Sequence, residues 1–309
     1  IDKELKDLPI RVRLLGEDLV LFRDKRGAVG LLELRCSHRG TSLEFGLVEE
    51  IGIRCCYHGW LFDVDGTILD TPNEPPESTY KERLCHGAYP VIEFHGHYFT
   101  YMGPPEDYYP FPHYDSLNMP GYKLIAGSPY YTPCNWLQIA ENSQDPTHTA
   151  FLHTRVSGGQ FFNEKGEPAE EFGDIGELDW IETPIGMAYV NTRRSGDDVW
   201  VRLGEIIHPN MQQTALNPTF PQKYPDGTDR KQEFLWFTKW LVPIDDTHTM
   251  SVRFLHQPEN SESIASGLDP NLGDGGGNLI RPYEEQQRNP GDYEAEVGQG
   301  DITIHALEH

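Results

Sequence analysis

The sequence predicts an α+β chain of two domains, an all-β unit followed by a larger unit in which an antiparallel sheet is flanked by helices. Three observations carry this. Residues 10–102 hold short apolar/polar alternations separated by turn signals. A proline- and aromatic-rich stretch then follows, Gly103-Pro104-Pro105 and Tyr108-Tyr109-Pro110-Phe111-Pro112, which reads as an extended linker. Beyond it, a strand-rich run over 174–256 lies between helical patterns at 135–141 and 280–308. The boundary is placed at Pro104, giving domains 1–104 and 105–309.

The elements follow in order. Ile10, Val12 and Leu14, then Leu19 and Leu21, alternate with polar residues as half-buried strands do. Asp24-Lys25-Arg26-Gly27 is a hairpin turn between Leu19–Phe22 and Val29–Leu34. Asp65-Gly66 is the tip of a second tight turn. His95-Gly96-His97 joins strands at Val91–Phe94 and Tyr98–Met102. In the second domain, 123–134 reads as one strand and Asn135–Glu141 as a helix. Gly186–Thr192, Val199–Leu203, Phe234–Leu241 and Thr249–Leu255 read as strands, with turns such as Arg194-Ser195-Gly196-Asp197. The glycine-rich stretch 269–278 is expected to be a mobile loop, and 280–308 a final helix broken at Pro290.

Composition narrows the function classes. Acidic residues outnumber basic ones 49 to 25, and the net charge of −24 argues against nucleic acid or an anionic membrane as partner. No run of apolar residues is long enough to span a bilayer. The five cysteines are an odd number, and Cys85 and Cys134 lack framework spacing and read as buried thiols, so a reduced, cytoplasmic chain is expected. No signal-peptide pattern is visible, and both ends read as trimmed.

The chemistry-bearing residues begin with Cys36-Ser37-His38-Arg39-Gly40 and Cys55-Cys56-Tyr57-His58-Gly59-Trp60. Two thiolates and two imidazoles in two tight pairs are metal-ligand spacing. A Cys2His2 set can hold zinc, or a Rieske [2Fe–2S] cluster in which two His replace two Cys on one iron. Zinc fingers pair Cys with Cys and His with His, whereas each loop here offers one of each. That suits a two-iron cluster, with Cys36 and Cys55 on one iron and His38 and His58 on the other. Cys56 is read as a small residue packed beside it.

A second candidate site lies at Asn142, Asp145, His148 and His153. Five residues turn an ideal helix through about 500°, so His148 and His153 would not share a face of a straight one. Pro146 changes that, because it either kinks the helix or starts a new one with Asp145 as N-cap. On spacing alone, two ordinary histidines on an irregular helix remain the leading reading.

With both motifs in hand, the chain resembles the Rieske non-heme iron aromatic oxygenases. C-S-H-R-G with C-C-Y-H-G-W resembles their cluster loops, and N-x-x-D-x-x-H-x-x-x-x-H, preceded by Asn135-Trp136-Leu137-Gln138, resembles their mononuclear iron motif. Taken whole, it is similar to the branch that includes phthalate dioxygenase, phenoxybenzoate dioxygenase and the O-demethylases of lignin-derived aryl acids. The resemblance implies a helix-grip catalytic domain with long helices behind a Rieske domain. It implies His148 and His153 as Fe(II) ligands, with Asp292, ahead of Gln299-Gly300, as the carboxylate; Glu294 and Glu296 are the alternatives. It also implies that Asp145 accepts a hydrogen bond from His148 and reaches His58 of a neighbouring copy, that Asn142 lines the iron pocket, and that the assembly is a homotrimer.

The expected function is that of a terminal oxygenase. It takes O2 and electrons from a separate NAD(P)H-dependent reductase of flavin or ferredoxin type, since no nucleotide-binding glycine motif follows a strand here. The substrate expected is an aromatic acid, with O-demethylation by monooxygenation favoured over ring cis-dihydroxylation. A Rieske electron carrier is the remote third class, because a carrier needs only the first hundred residues or so. Arg155, Arg193, Arg202 and Arg253 are the candidate partners for a substrate carboxylate, although each reads first as a surface or structural arginine, and Phe161, Phe162 and Trp180 either line the cavity or fill the core.

Overall fold

The alternations become antiparallel hairpins in a computed structural model that describes residues 5–156, 175–195, 197–214, 237–259 and 281–308. Contacts divide the chain into two units, Ile1–His113 and Tyr114–His309. The division lies past Pro104 because the linker's Phe111 packs on Phe94 and Phe99, at ring-centroid distances of 5.2 and 4.7 Å.

In the first unit, β1 (Ile10–Leu14), β2 (Glu17–Arg23), β3 (Val29–Glu33) and the short β8 (Ala88–Tyr89) form one sheet in that order. A second sheet is made of β4 (Leu47–Val48), β5 (Ile53–Arg54), β6 (Leu61–Phe62) and β7 (Ile68–Asp70). Val20, Phe22, Leu32, Leu34, Leu43, Ile53, Phe62 and Ile68 close the core between them, and Cys36 and Cys55 belong to it. The hairpin of β9 (Val91–Phe94) and β10 (His97–Thr100) is tighter than expected. His97 pairs directly with Phe94, so the loop is His95-Gly96 alone, both at positive φ as a two-residue hairpin requires. A one-turn helix, α1 (Tyr80–Arg83), precedes β8.

The second unit is built on one antiparallel sheet. Its order is β11 (Tyr122–Ala126), β18 (His248–Pro258), β17 (Phe237–Asp245), β16 (Met211–Thr214), β15 (Asp198–Ile207), β14 (Gly186–Ser195) and β13 (Glu177–Thr183), with β12 (Tyr130–Thr132) also on β18. The single strand expected over 123–134 is therefore two. Both lie along the same edge of β18, one on Phe254–Pro258 and one on Thr249–Ser251, with Gly127-Ser128-Pro129 between them.

Across one face of this sheet the register aligns Met187, Ile206, Gln212, Lys239 and Arg253. Helix α2 (Trp136–Gln144) packs on that face, burying Ile139 and Ala140 against Ile206 and Leu241. Asn135 caps the helix, its Oδ1 accepting from Leu137 N at 2.9 Å.

The expected long helices are absent among the described residues, where α2, at nine residues, is the longest. The final helix is two short ones, α3 (Tyr283–Arg288) and α4 (Asp292–Val297). Asn289-Pro290-Gly291 separates them, and Gly298 ends the second, so the helix does not continue to 308. Cys134 is buried as expected, but Cys85 and Cys56 are exposed. Trp180 is 55% exposed on an end strand of the sheet and fills no core. Phe161, Phe162 and 269–278 lie outside the described residues.

Candidate metal centres

The two cluster loops are built alike. In the first, Cys36 N donates to Thr41 O at 3.0 Å and Gly40 N to Cys36 O at 2.8 Å. In the second, Cys55 N donates to Trp60 O at 2.8 Å and Gly59 N to Cys55 O at 3.1 Å. Each loop thus turns back on its cysteine through a glycine four residues later. Gly40 and Gly59 have φ of 73° and 76°, a region that costs any residue with a Cβ. The result presents two buried sulfurs and two half-buried imidazoles, with His38 and His58 ring centroids 4.6 Å apart.

Side chains from outside the motif hold these loops. The Trp60 indole stacks parallel on His38 at 4.9 Å. Arg54 donates to Gly59 O, Asp70 Oδ2 (2.8 Å) and Glu49 Oε2 (3.1 Å), tying the second loop to β4 and β7. Asn73 Nδ2 donates to His58 O at 2.9 Å. Ser37 Oγ meets Nδ1 of buried His86 at 2.6 Å, and His86 Nε2 lies 2.8 Å from Glu33 O. Burial, and then the neighbouring Cys55, push the Cys36 thiol up to about 11. Burial and the neighbouring His58 push the His38 imidazole below its usual value. A neutral imidazole is the ligating form, while a thiol held up by burial releases its proton readily only when a metal takes the sulfur. Two buried sulfurs and two half-buried imidazoles are a donor set that fits a Rieske [2Fe–2S] cluster.

The second centre is assembled from distant segments. Helix α2 ends at Gln144, and Asp145 caps the following 3-10 turn, Pro146–Ala150, its Oδ1 accepting from Thr147 N at 2.8 Å. A π-type turn follows over Leu152–Val156, in which Arg155 N and Val156 N both donate to Phe151 O at 2.9 Å. These two departures from α geometry bring the imidazoles together, with Nε2 atoms 3.1 Å apart. Asp292, at the start of α4, places Oδ1 3.4 Å from His148 Nε2 and 3.1 Å from His153 Nε2.

One ligand atom from each of the three lies within 4.8 Å of the others, a cluster that fits one metal ion and has the composition of a two-histidine, one-carboxylate iron site. Burial raises the Asp292 carboxyl, but His153 and then His148 outweigh it and hold it well below the usual carboxylate range.

Not every expected contact forms. Asp145 Oδ2 is 4.0 Å from His148 Nδ1, beyond hydrogen-bond reach, and that nitrogen is buried without a hydrogen-bond partner. Asn142 is at the site: its Nδ2 donates to Asp292 Oδ1 at 3.3 Å and to Glu296 Oε1 at 3.1 Å. Of the candidate arginines, Arg155 is exposed and lies over the Phe151 ring, while Arg193 is buried and donates to Thr149 Oγ1 at 3.2 Å, one residue from His148. Arg253 is buried, and Arg202, half-buried, sits opposite Asn191 in the sheet. Sequence reasoning missed Trp60, Arg54, Asn73 and His86 as supports. Only the place of Trp60 within the motif, and of Arg54 beside it, could have signalled any of them.

Similarity to known proteins runs the length of the chain. Residues 2–83 match the model of the Rieske [2Fe-2S] domain. The whole chain is 42% identical to the oxygenase subunit of tert-butanol monooxygenase / tert-amyl alcohol desaturase from Aquincola tertiaricarbonis, covering 67% of it. It is 38% identical to the alpha subunit of phenoxybenzoate dioxygenase from Ectopseudomonas oleovorans, covering 74% of it. Over 96% of its length it is 32% identical to the oxygenase subunit of 5,5'-dehydrodivanillate O-demethylase from a Sphingobium species, covering 66% of that protein. The chain thus spans about two thirds to three quarters of these relatives. Among solved structures, dicamba monooxygenase bound to 3,6-dichlorosalicylic acid superposes with a TM-score of 0.68 over 99% of this chain and 89% of that one; at 17% identity this speaks for the fold alone.

Proposed function

The chain belongs to the Rieske non-heme iron oxygenases, enzymes that use O2, and on that footing we propose that it is the terminal oxygenase of a multicomponent system that hydroxylates an aromatic acid, with O-demethylation as its reaction. The observation that carries the substrate class is Arg193. Its buried guanidinium reaches Thr149, next to His148, and a buried cation at that place suits a substrate carboxylate. Two relatives with aryl acid names, the phenoxybenzoate and dehydrodivanillate enzymes, support the class.

In this reading Cys36, His38, Cys55 and His58 hold the [2Fe–2S] cluster, and His148, His153 and Asp292 hold the mononuclear iron. Electrons would reach the cluster from a separate NAD(P)H-dependent reductase. The iron, when bound, supplies the activation of O2, which the protein's own groups cannot provide. The chain's part is to place the substrate, to exclude water, and to keep the His148 and His153 nitrogens and the Asp292 oxygen facing one point.

Asp145, whose side chain is 49% exposed, reaches His58 of a neighbouring copy in a homotrimer. The reaction balances as a methyl aryl ether, O2, NADH and a proton giving a phenol, formaldehyde, water and NAD+. The site of action is the cytoplasm; no described helix is long and apolar enough to cross a membrane.

A second reading, hydroxylation of a small tertiary alcohol, is favoured by the 42% identity to the tert-butanol enzyme. One experiment separates the possibilities. The protein, with a surrogate reductase and NADH, is offered aryl acids with and without methoxy groups, and tert-butanol. Formaldehyde equal to the NADH consumed, from methoxy acids only, is the expected outcome. A ring diol without formaldehyde would make it a dihydroxylating enzyme, and turnover of tert-butanol alone would replace the aryl acid reading.

A further inference from the structure

Glu296 lies one helical turn beyond Asp292 on α4 and is 5% exposed. Its carboxylate is not one of the three groups facing the iron position. It meets Asn142 instead. Asn142 Nδ2 carries two hydrogens, and they are directed at two carboxylates, Glu296 Oε1 at 3.1 Å and Asp292 Oδ1 at 3.3 Å. Turning the amide over would aim its oxygen at both anions, so the pair of carboxylates leaves Asn142 a single orientation.

The scaffold behind the pair is fixed as well. Gln138, one turn before Asn142 on α2, donates from Nε2 to Glu296 O and Gly300 O, both at 3.0 Å, and its Oε1 accepts from Thr303 N at 3.0 Å. Two layers therefore join α2 to α4: Gln138 clamps backbone, and Asn142 clamps the two carboxylates. A second buried carboxylate one turn from an iron ligand repels it and is costly to bury, so an apolar residue would be the stabler choice there unless the group has work to do.

We propose that Glu296 is a positioning residue for the iron centre: it fixes the orientation of the Asn142 amide, which in turn holds Asp292 Oδ1 toward His148 and His153. This rests on the reading of His148, His153 and Asp292 as the iron ligands. The chemistry is that of an outer partner of a metal ligand, whose loss typically costs roughly 10–100-fold in metal affinity.

The test measures the Fe(II) dissociation constant of the full chain, cluster in place, by competition with a chromogenic chelator. The EPR spectrum of the ferrous site's nitric oxide adduct is recorded alongside. Glu296→Leu is expected to weaken iron roughly 10–100-fold and to alter the spectrum. Glu296→Gln, whose amide oxygen still accepts from Asn142, is expected to recover most of both. Asn142→Ala is expected to weaken iron by a similar factor, and adding Glu296→Leu to it to cost nothing further, as for residues acting through one link.

Wild-type affinity and spectrum in Glu296→Leu, or losses that simply add in the double variant, would overturn the proposal. If Glu296→Leu does not fold, judged by the EPR signal of the cluster and by circular dichroism, Asn142→Ala and Asn142→Asp decide. Both must lose iron, and wild-type affinity in either overturns the link. Asp292→Ala separates the two levels: unchanged iron binding there sinks the ligand assignment itself, whereas iron lost in Asp292→Ala but kept in Glu296→Leu sinks only the role of Glu296.

Discussion

The cluster loops and the iron site solve the same problem at opposite ranges. All four cluster residues lie between Cys36 and His58, on two loops that close on themselves by backbone hydrogen bonds. The candidate iron site draws on Asp292 from a distant part of the chain, and on two histidines whose meeting depends on consecutive 3-10 and π turns. A locally closed loop can present its ligands wherever its strands form. A site assembled across long sequence separation exists only when the second sheet, α2 and α4 are all in place. The first should therefore tolerate damage elsewhere, and the second should not.

The largest effect that could break this contrast comes from the ligands. Asp292→Ala should weaken iron by more than about 100-fold, since outer partners alone are worth 10–100-fold, while the cluster's visible absorbance stays intact. Cys55→Ser should do the reverse, losing the cluster while iron still binds. Metal analysis beside the absorbance spectrum of each variant reads both.

Next comes the scaffold. Ile139→Ala removes a fully buried side chain between α2 and the sheet and should cost about 2–5 kcal/mol in the second unit. In thermal unfolding the iron should then be released well before the cluster bleaches. Simultaneous loss of both would deny the two sites their separate supports.

The cluster loops should respond to their glycines. Gly40→Ala places a Cβ in open space but at φ 73°, so only backbone strain acts, about 1–2 kcal/mol. Gly59→Ala adds a contact at 3.0 Å to Pro72 Cγ and should be the worse of the two. The temperature of cluster loss ranks them.

The most graded effect is acid, which acts on the native chain without any substitution. Burial pulls the His256 imidazole down to about 4 from its ordinary 6.5, so the folded second unit holds it neutral while the unfolded chain would protonate it. A depressed folded pKa gives stability that is full above 6.5 and lost as pH falls toward 4, about 3 kcal/mol over that window. Denaturant midpoints of the second unit at pH 7 and pH 5 should show it, and His256→Gln should flatten the slope.

The same contrast explains what could be read in advance. Strand alternation and the Asp24–Gly27 and Asp65-Gly66 turns are local signals, and so is the Cys/His spacing, which pointed to a two-iron cluster before any family resemblance was needed. His148 and His153 were ambiguous on spacing, because helix periodicity describes a regular helix and this segment is neither α nor straight. Asp292 was chosen over Glu294 and Glu296 by resemblance to a motif.

The structure gives each of the three acids different company. Asp292 faces the histidines, Glu294 takes Arg281 at 2.8 Å, and Glu296 takes Asn142. Nothing in a run of acids on one short helix announces which one turns inward, since that depends on where α2 crosses it. Cys85 was misjudged for a related reason: residue type sets only a tendency to be buried, and Cys85, like Trp180, falls where no second layer covers it among the described residues.

Under the proposed function, electrons held on the Cys36/His38/Cys55/His58 cluster would be spent at the His148/His153/Asp292 iron. A single turnover tests it most directly. The protein with both centres filled is reduced chemically, the reductant is removed, and O2 with a methoxy aryl acid is added without any reductase. The cluster should reoxidise as phenol and formaldehyde form, and in Asp292→Ala it should stay reduced on that timescale with no product. Product from Asp292→Ala, or no product from any aryl acid or tertiary alcohol with the wild-type cluster reduced and iron bound, would contradict it.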